Sequence, residues 1–317
     1  MAENYKGHIA MAINGLIFGL NIPVSKGLLS EGYITPFTLT LLRMCGAAAL
    51  FWIVSLVQPR EKVATKDIFL LFLASLFGIM LNQAAFIAGL ALTSPINASI
   101  IATMVPIVTM LLAGLLLREP ITWLKGGGVA MGAAGALMLI LGTGAAGAGN
   151  GHIRGDLLCA SSAISYSIYL TAFKPLIMRY SPVTLMKWMF LWAAVFCTPF
   201  GYEELLQVDV ANLPWVTIIE VFYVVFLATF FTYMLIPVGQ KLLRPTVVSM
   251  YNYMQPLVAS LAAVALGIDT FGWWKATAGG LVFLGVWVVT RSKSRAQVEA
   301  GKAAGQTAEA GDQGASR

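Results

Sequence analysis

The second half of the sequence repeats the first, and the repeated unit contains an odd number of apolar segments. At an offset of 150 residues the identical pairs are Gly89 and Gly239, Pro95 and Pro245, Ser99 and Ser249, Met104 and Met254, Pro106 and Pro256, Trp123 and Trp273, and Lys125 and Lys275. Nearer the start the offset is 148, which carries Lys26 onto Lys174, and between these it is 146, which carries Pro36 onto Pro182. Loop insertions in a duplicated unit produce offsets that drift in this way.

Each unit contains five apolar segments. Because five is odd, the second unit must enter a membrane from the opposite side. Inverted repeats are typical of secondary transporters, because two mirror-related halves can open one shared site to either side. The duplication therefore predicts transport of a small-molecule substrate.

The composition places the chain in a lipid bilayer. Of 317 residues, 58% are hydrophobic and 11% are charged, and the mean hydropathy is +0.80. Soluble domains carry about 25% charged residues. The net charge of +6 lies at segment ends, which indicates membrane orientation and not nucleic-acid binding. Cys45, Cys159 and Cys197 lie inside apolar segments without CxxC spacing, so we predict no disulfide, metal site or cofactor.

A helix needs about 20 apolar residues to cross a bilayer. The predicted spans are Ile9–Leu29, Pro36–Val57, Ile68–Leu90, Pro95–Leu117, Trp123–Leu141, Leu157–Met178, Pro182–Phe200, Pro214–Val238, Pro245–Leu266 and Phe271–Thr290. They predict an all-α integral membrane fold in which two inverted five-helix repeats surround a central cavity. The repeats are residues 1–145 and 146–291, with a Gly- and Ala-rich link at Gly142–Gly155. Residues 292–317 are polar and predicted to be a disordered cytoplasmic tail.

Lysine and arginine are distributed unevenly between alternate loops. With the amino terminus inside, the inside set is Lys6, Arg60, Lys62, Lys66, Arg118, Lys125, Lys174, Arg179, Lys241, Arg244, Arg291, Lys293 and Arg295, and the outside set is Lys26, Arg154 and Lys275. Since cytoplasmic loops hold the excess of basic residues, both termini are predicted to be cytoplasmic. The predicted location is the cell (inner) membrane, as a monomer or a homodimer with the bilayer as its solvent.

Polar side chains recur at corresponding places in the two halves. The matched sets are Asn14, Phe18 and Asn21 with Ser162, Tyr166 and Tyr169, and Asn82 and Gln83 with Thr232 and Tyr233. The first set stands at i, i+4 and i+7, which is one face of a helix. Polar groups inside lipid are costly and usually face a cavity or a partner, so we predict that these residues line a substrate pocket. Hydrogen bonding between helices is the alternative.

Proline lies near the midplane of two corresponding spans. Pro106 and Pro256 each remove a backbone hydrogen bond and free the carbonyls of Ala102 and Asn252, which protein or water must then meet. The predicted cavity residues beside these kinks are Thr103, Asn252, Tyr253 and Gln255. We predict that both prolines are hinges, and a static kink is the alternative.

Two charged residues lie deeper than the loops. Arg43 is about 10 Å below the outer end of the second span, and Glu220 lies at a similar depth in the eighth. Each side chain is long enough to reach the interface by itself. Their opposite charges at one depth suggest an ion pair, or a site for a zwitterionic substrate. Lys187, near the inner end of the seventh span, is predicted to extend to the interface.

Three features at the fifth and tenth spans are explained by helix structure and membrane anchoring without a role in substrate binding. Glu119 and Asp269 precede the first turn of a helix, where an anion is favoured by the helix dipole. Trp123 is typical of an interfacial anchor. Gly128 and Gly132, at GxxxG spacing, predict a close helix contact.

These residues resemble a known family. The resemblance rests on Phe18, Gly19, Asn21 and Lys26, then Pro36 and Arg43, then Pro95, Asn97, Ala98 and Pro106, and finally Arg118 and Glu119 before a Gly-rich fifth segment. In order and spacing they resemble the EamA family of the drug/metabolite transporter superfamily, over about residues 7–291. Phe18 stands where that family often has tryptophan. The resemblance implies ten helices in two inverted repeats, a central cavity, and movement of amino acids or other small metabolites.

We therefore expect a secondary active transporter, with export favoured, that moves small metabolites such as amino acids by alternating access and has no catalytic residues. The sequence contains no ATP-binding motif, so we expect a gradient or exchange to supply the energy. One alternative is a membrane-embedded enzyme, which requires clustered acids, bases or metal ligands. The other is a non-transporting scaffold, which predicts no stabilisation by ligands.

Overall fold

We describe the protein from a computed structural model, which covers residues 4–93, 98, 101–142, 153–265 and 272–292. These residues form helices and turns without a β-strand, which confirms the all-α prediction. Pro95, Asn97, Ser99 and Asp269 lie outside the described residues. So do residues 143–152 of the predicted link and residues 293–317 of the predicted tail.

Helices occupy the stretches that were predicted to span a membrane. In chain order they are α1 (Asn4–Ser30), α2 (Pro36–Leu56), α3 (Thr65–Leu92), α4 (Met104–Leu116), α5 (Trp123–Gly142), α6 (Ile153–Ala172), α7 (Pro182–Leu206), α8 (Trp215–Leu242), α9 (residues 245–265) and α10 (Trp273–Arg291). A short helix, Lys174–Ile177, follows α6. Among the described helices, α1, α2, α3, α7 and α8 are long and apolar enough to cross a membrane.

Proline begins three of these helices. Pro36, Pro182 and Pro245 are the first residues of α2, α7 and α9. The missing N–H has no intrahelical partner at that position in any case, and the fixed φ of proline favours the helical turn. The hydroxyls of Thr35 and Ser181 accept a hydrogen bond from a backbone N–H in the first turns of α2 and α7, which contributes about 1 kcal/mol at each start.

Two helices contain π-helical segments at corresponding places. The segment in α3 is Leu76–Met80 and the one in α8 is Tyr223–Phe231. Shifting the first by 150 residues gives 226–230, which lies inside the second. A π-segment rotates the residues that follow it relative to an uninterrupted α-helix, and such segments are frequent at functional sites. The sequence pattern predicted neither segment.

Helices α4 and α9 are interrupted just before their prolines. Thr103 is a turn residue between the helical residues 101–102 and the start of α4. In α9 the 3-10 segment Tyr251–Tyr253 separates two α-helical parts. Pro106 and Pro256 lack the N–H that would bond to the carbonyl four residues back, so an interruption there is expected. Both interruptions lie within five residues of the prolines that predicted a kink.

Contacts between helix termini define two ends of the bundle. At the near end, where α1 begins, the hydrogen-bonded or ion-paired residues are His8 with Tyr251, Glu61 with Ser181, Asp67 with Arg179, Glu119 with Lys125, Lys174 with Leu243, and Arg244 with Val289. At the far end, where α1 ends, they are Lys26 with Leu90, Glu31 with Thr217, Thr35 with Glu204, and Thr93 with Asp156. Successive helices run in opposite directions, so the end of one helix and the start of the next lie at the same end of the bundle.

Helices from the two halves pack against each other in pairs. Helix α2 packs against α7, α3 against α6, and α5 against α10. The last contact depends on glycine: a Cβ on Gly285 would lie 2.7 Å from the carbonyl oxygen of Gly128 and 2.7 Å from the backbone nitrogen of Gly132. Small residues allow helix backbones to approach this closely. The predicted contact at Gly128 and Gly132 is confirmed.

Candidate functional site

A cavity lined by polar and apolar side chains lies between α1, α2, α3, α6, α8, α9 and the beginning of α4 with the residues before it. It encloses about 730 Å³ that is free of protein atoms, including the part open to solvent. Its lining contains most of the residues predicted to bind substrate, namely Asn14, Phe18, Asn21, Arg43, Asn82, Gln83, Tyr166, Tyr233, Asn252 and Gln255. Both halves of the sequence contribute residues to it, so the cavity lies between helices of the first half and helices of the second.

Five predicted residues do not line this cavity. Tyr169 is fully buried, and its hydroxyl donates to Oε1 of Gln240 at 3.2 Å. Tyr253 is also fully buried, and its hydroxyl lies 3.4 Å from the carbonyl oxygen of Val129. Thr103, the turn residue before α4, and Thr232 on α8 are buried and absent from the lining, and the partly exposed Glu220 is absent from it as well. Both tyrosines fill space between helices, where their rings lie against Gly78 and Gly132.

The lining also includes residues that we did not predict to bind substrate. They are Phe86, Ala98, Ala102, Val105, Cys159, Ala163 and Ile236, whereas Ser162, which also lines the cavity, belongs to the predicted matched sets. Most of them are apolar, so the search for polar groups inside lipid did not select them. Helical spacing could have predicted that Cys159 lines the cavity, because it precedes Tyr166 by seven residues and so lies on the same face of α6.

Two amide side chains in the cavity wall have unsatisfied atoms. Oδ1 of Asn14 and Nε2 of Gln83 are buried and have no hydrogen-bond partner among the described residues. A buried polar atom without a partner is costly. One atom is an acceptor and the other is a donor, and both belong to side chains that line the cavity.

Other polar residues in the wall join helices to one another. The hydroxyl of Ser162 on α6 donates to the carbonyl oxygen of Asn82 on α3 at 2.7 Å. One turn further, Ser165 donates to the carbonyl oxygen of Phe77 at 2.7 Å, which lies in the π-segment of α3. The alternative of interhelical hydrogen bonding therefore holds for Ser162, while Asn14 and Gln83 keep free atoms.

Arg43 extends from α2 into the cavity wall. Its side chain is 1% exposed, and Nε donates to the hydroxyl oxygen of Thr229 on α8 at 2.8 Å. Its Nη2 atom is buried and has no partner among the described residues. The guanidinium is therefore held by one neutral group and keeps a free donor.

Glu220 lies elsewhere. A Cβ on Gly27 would be 4.0 Å from Oε1 of Glu220, which places this carboxylate beside the far end of α1. Thr229 is nine residues further along α8, about 13 Å of helix rise. Among the described residues, the ion pairs are Lys125 with Glu119 and Arg179 with Asp67. The structure therefore contradicts the suggested ion pair of Arg43 and Glu220. The prediction counted residues from the end of each span, and such a count says nothing about the direction in which a side chain points.

Contacts between the cavity and the near end tie four helices together. Nδ1 of His8 lies 2.7 Å from the hydroxyl of Tyr251, which joins α1 to α9. The bond from Tyr169 to Gln240 joins α6 to α8. Lys174, which follows α6, donates to the carbonyl oxygen of Leu243 at 3.0 Å.

Two charged residues at the near end have partners that the sequence did not predict. Oε2 of Glu119 accepts a hydrogen bond from Nζ of Lys125 at 2.8 Å, so an ion pair holds it in addition to any effect of the helix dipole. Nζ of Lys187 lies 5.1 Å above the ring of Trp52 on α2. A cation at this distance from an indole ring is attracted by its π-electrons.

The loop between α2 and α3 is fastened to the start of α7. Oε2 of Glu61 accepts hydrogen bonds from the backbone N–H and the hydroxyl of Ser181, at 3.0 and 2.8 Å. Partial burial raises the pKa of Glu61, but the hydrogen bonds from Ser181 and Thr184 and the charge of Lys241 outweigh it and lower the pKa below its ordinary value. Glu61 is therefore ionised at neutral pH.

Known proteins match this chain along most of its length. The sequence profile of the EamA-like transporter family matches residues 5–141 and again residues 153–291. An uncharacterized transporter of Archaeoglobus fulgidus is 25% identical over 290 residues, which is 91% of this chain and 100% of the relative. The uncharacterized transporter YcxC of Bacillus subtilis is 23% identical over 244 residues, which is 74% of this chain and 75% of the relative.

Two further matches concern one part of the chain and the fold. A WAT1-related protein of Arabidopsis thaliana is 35% identical over 156 residues, which is 44% of this chain and 40% of the relative. A solved crystal structure superposes with a TM-score of 0.71 at 19% identity, covering 91% of this chain and 96% of the other. At that identity the superposition establishes a shared fold.

Proposed function

Because the chain belongs to the EamA-like transporter family and is a multi-pass membrane transporter, we propose that it is a secondary active transporter of small metabolites such as amino acids. It works by alternating access and exports its substrate across the cell membrane. The observation that carries the proposal is the cavity, which both halves of the chain line with polar side chains inside an apolar bundle. Such groups are costly at that depth unless they meet water or a ligand.

The proposed architecture is ten spans in two inverted five-helix repeats. Two separate matches to one family profile support the duplication. One contact is also duplicated: Lys26 donates to the carbonyl oxygens of Leu90 and Thr93 at the end of α3, and Lys174 donates to that of Leu243 at the end of α8. The residues correspond at the offsets of 148 and 150, and the two contacts lie at opposite ends of the bundle, as inversion requires.

The proposed hinges are the interrupted parts of α4 and α9. Ala102 and Asn252, whose carbonyls the prolines free, both line the cavity. The α-helix is not continuous at Thr103 or at Tyr251–Tyr253, so the regular ladder of α-helical hydrogen bonds is broken there. Pro106 and Pro256 are placed so that bending would reshape the cavity wall.

Transport by the purified protein in liposomes tests the proposal. Vesicles loaded with an unlabelled amino acid, nucleoside, organic acid or amine are diluted into the same labelled compound, and labelled uptake is measured. We expect exchange for at least one compound, with protein-free liposomes as the control. Absence of exchange across the whole panel would overturn the proposed function. The family and its transporter relatives point away from an enzyme, and product analysis of the recovered compounds checks for conversion.

The topology gives a second prediction. In a background without native cysteines, a membrane-impermeant maleimide applied to intact cells is expected to label Asp209→Cys and not Lys62→Cys, because the first is an exposed far-end residue and the second an exposed near-end residue. Lys62→Cys is expected to react only after permeabilisation. Labelling of Lys62→Cys from outside intact cells would exclude the proposed orientation.

A further inference from the structure

The cavity wall contains a buried cation that no carboxylate of the described residues neutralises. Arg43 is 1% exposed, and no carboxylate of the described residues lies within 4.0 Å of its guanidinium. Its Nη2 atom has no partner among the described residues, and Arg43 lines the cavity. A guanidinium remains charged and has five N–H donors. A buried charge without a counter-charge is costly, so a bound anion would make an interaction that the described residues do not supply.

A second residue holds the guanidinium in position. The hydroxyl of Thr229 donates to the carbonyl oxygen of Val224 at 2.7 Å, five residues earlier in the π-segment of α8. Because the hydroxyl hydrogen is used in that bond, the hydroxyl oxygen of Thr229 is the acceptor for Nε of Arg43, at 2.8 Å. Thr229 is a positioning residue, because it binds one edge of the guanidinium and leaves Nη2 free.

The rest of the lining indicates what accompanies the anion. Of the lining residues that the structure describes, only Arg43 carries a charge. The free oxygen of Asn14 can accept a hydrogen bond from the ligand, and the free nitrogen of Gln83 can donate one. The rings of Phe18 and Tyr166 supply apolar surface in the same cavity.

We propose that Arg43 is the anion-binding residue of the cavity and that the transported substrates are organic carboxylates with an apolar or aromatic body. A carboxylate fits the planar guanidinium through charge-assisted hydrogen bonds and supplies the missing negative charge. A cationic substrate would be repelled by Arg43, and no described lining residue would neutralise it. This inference rests on the proposed function and specifies its substrate class.

Matched ligands test the inference on the unmodified protein. Phenylacetate, phenylacetamide and phenethylamine share a ring and a two-carbon chain but are an anion, a neutral amide and a cation. We expect phenylacetate to raise the Tm of the purified protein by about 3 °C at roughly ten times its Kd, and the other two to leave it unchanged. Equal or greater stabilisation by the amide or the amine, or none by phenylacetate, would overturn the inference.

Variants of Arg43 separate binding from a structural role. In Arg43→Gln, phenylacetate is expected to raise the Tm no more than phenylacetamide does. Arg43→Lys is expected to keep the larger Tm shift with phenylacetate, with an affinity about tenfold weaker than that of the wild type. Since the unliganded wild type carries an uncompensated charge, ligand-free Arg43→Gln is expected to have a Tm at least equal to that of the wild type. Lys187→Gln, which removes a cation outside the cavity, is the matched control and is expected to keep the full acid response. A lower ligand-free Tm in Arg43→Gln, with the acid response intact, would assign Arg43 a structural role.

Liposome exchange of the same ligands distinguishes this inference from the proposed function. If phenylacetate stabilises the protein but no compound in the wider panel is exchanged, the anion site stands and the transport proposal falls. If amines are exchanged as fast as acids, transport stands and the anion site falls. We expect exchange of the acid alone.

Discussion

Gly132→Leu is expected to lower the Tm of the purified protein by roughly 6–12 °C, or to prevent its accumulation. A Cβ on Gly132 would lie 2.5 and 2.7 Å from ring carbons of Tyr253 and 2.9 Å from Cε of Met250. Tyr253 is fully buried and cannot move aside without displacing its neighbours. Overpacking of this kind costs about 3 kcal/mol. Thermal unfolding in detergent, followed by intrinsic fluorescence, measures the effect.

A second glycine in the same helix provides the control. Nothing lies within 4 Å of a Cβ on Gly127. Gly127→Leu is therefore expected to be neutral or to stabilise α5 by up to about 1 kcal/mol, because leucine favours a helix more than glycine does. Combining Gly132→Leu with Tyr253→Ala is expected to be less damaging than the sum of the two changes, since each relieves the other. Equal Tm values for Gly132→Leu and Gly127→Leu would contradict the packing described for α5 and α9.

Helical spacing placed Tyr166 and Tyr169 on one face of α6, and the structure separates them. Tyr166 lines the cavity, whereas the ring of Tyr169 occupies the space beside Gly78, where a Cβ would be 2.6 Å from the ring. Gly78 lies in the π-segment of α3. A π-segment adds about one residue to a helical turn and so rotates the residues that follow it. The spacing of apolar residues in the sequence does not reveal such a segment. The α-helical pattern therefore predicted the wall but not every side chain in it.

The duplication predicted more of the site than any single motif. It related the polar groups of α1 and α3 to those of α6 and α8, and the structure places these helices around one cavity. Charge gave less information, because Arg43 and Glu220 are equally deep in sequence yet do not meet. The described partner of Arg43 is the hydroxyl of Thr229, which lies in the π-helical part of α8. A contact of that kind follows from tertiary geometry, which spacing in one helix does not contain.

Joining α2 to α8 is expected to stop transport reversibly. A Cβ on Gly46 of α2 would lie 3.8 Å from Cβ of Val225 on α8, which is the usual separation across a disulfide. The two helices belong to different proposed repeats, and alternating access requires those repeats to move against each other. In a background without Cys45, Cys159 and Cys197, oxidised Gly46→Cys/Val225→Cys is expected to lose at least about 90% of its liposome exchange, an effect of the size that follows when a required conformational step is blocked.

The state that the disulfide locks is the one described here, so the cavity remains formed. The oxidised protein is therefore expected to keep its Tm response to phenylacetate while it loses exchange, and reduction with dithiothreitol is expected to restore exchange. Gly46→Cys/Val225→Ala treated with the same oxidant is the control, because it removes the valine methyl that would lie 2.5 Å from the new Cβ and cannot form the bond. Full cross-linking, confirmed by mass spectrometry of the joined peptides, together with unchanged exchange would show that α2 and α8 move as one body. The moving boundary would then have to run between other helices, such as α1 and α9 at Gly15 and Met254, where the corresponding Cβ separation is 3.2 Å.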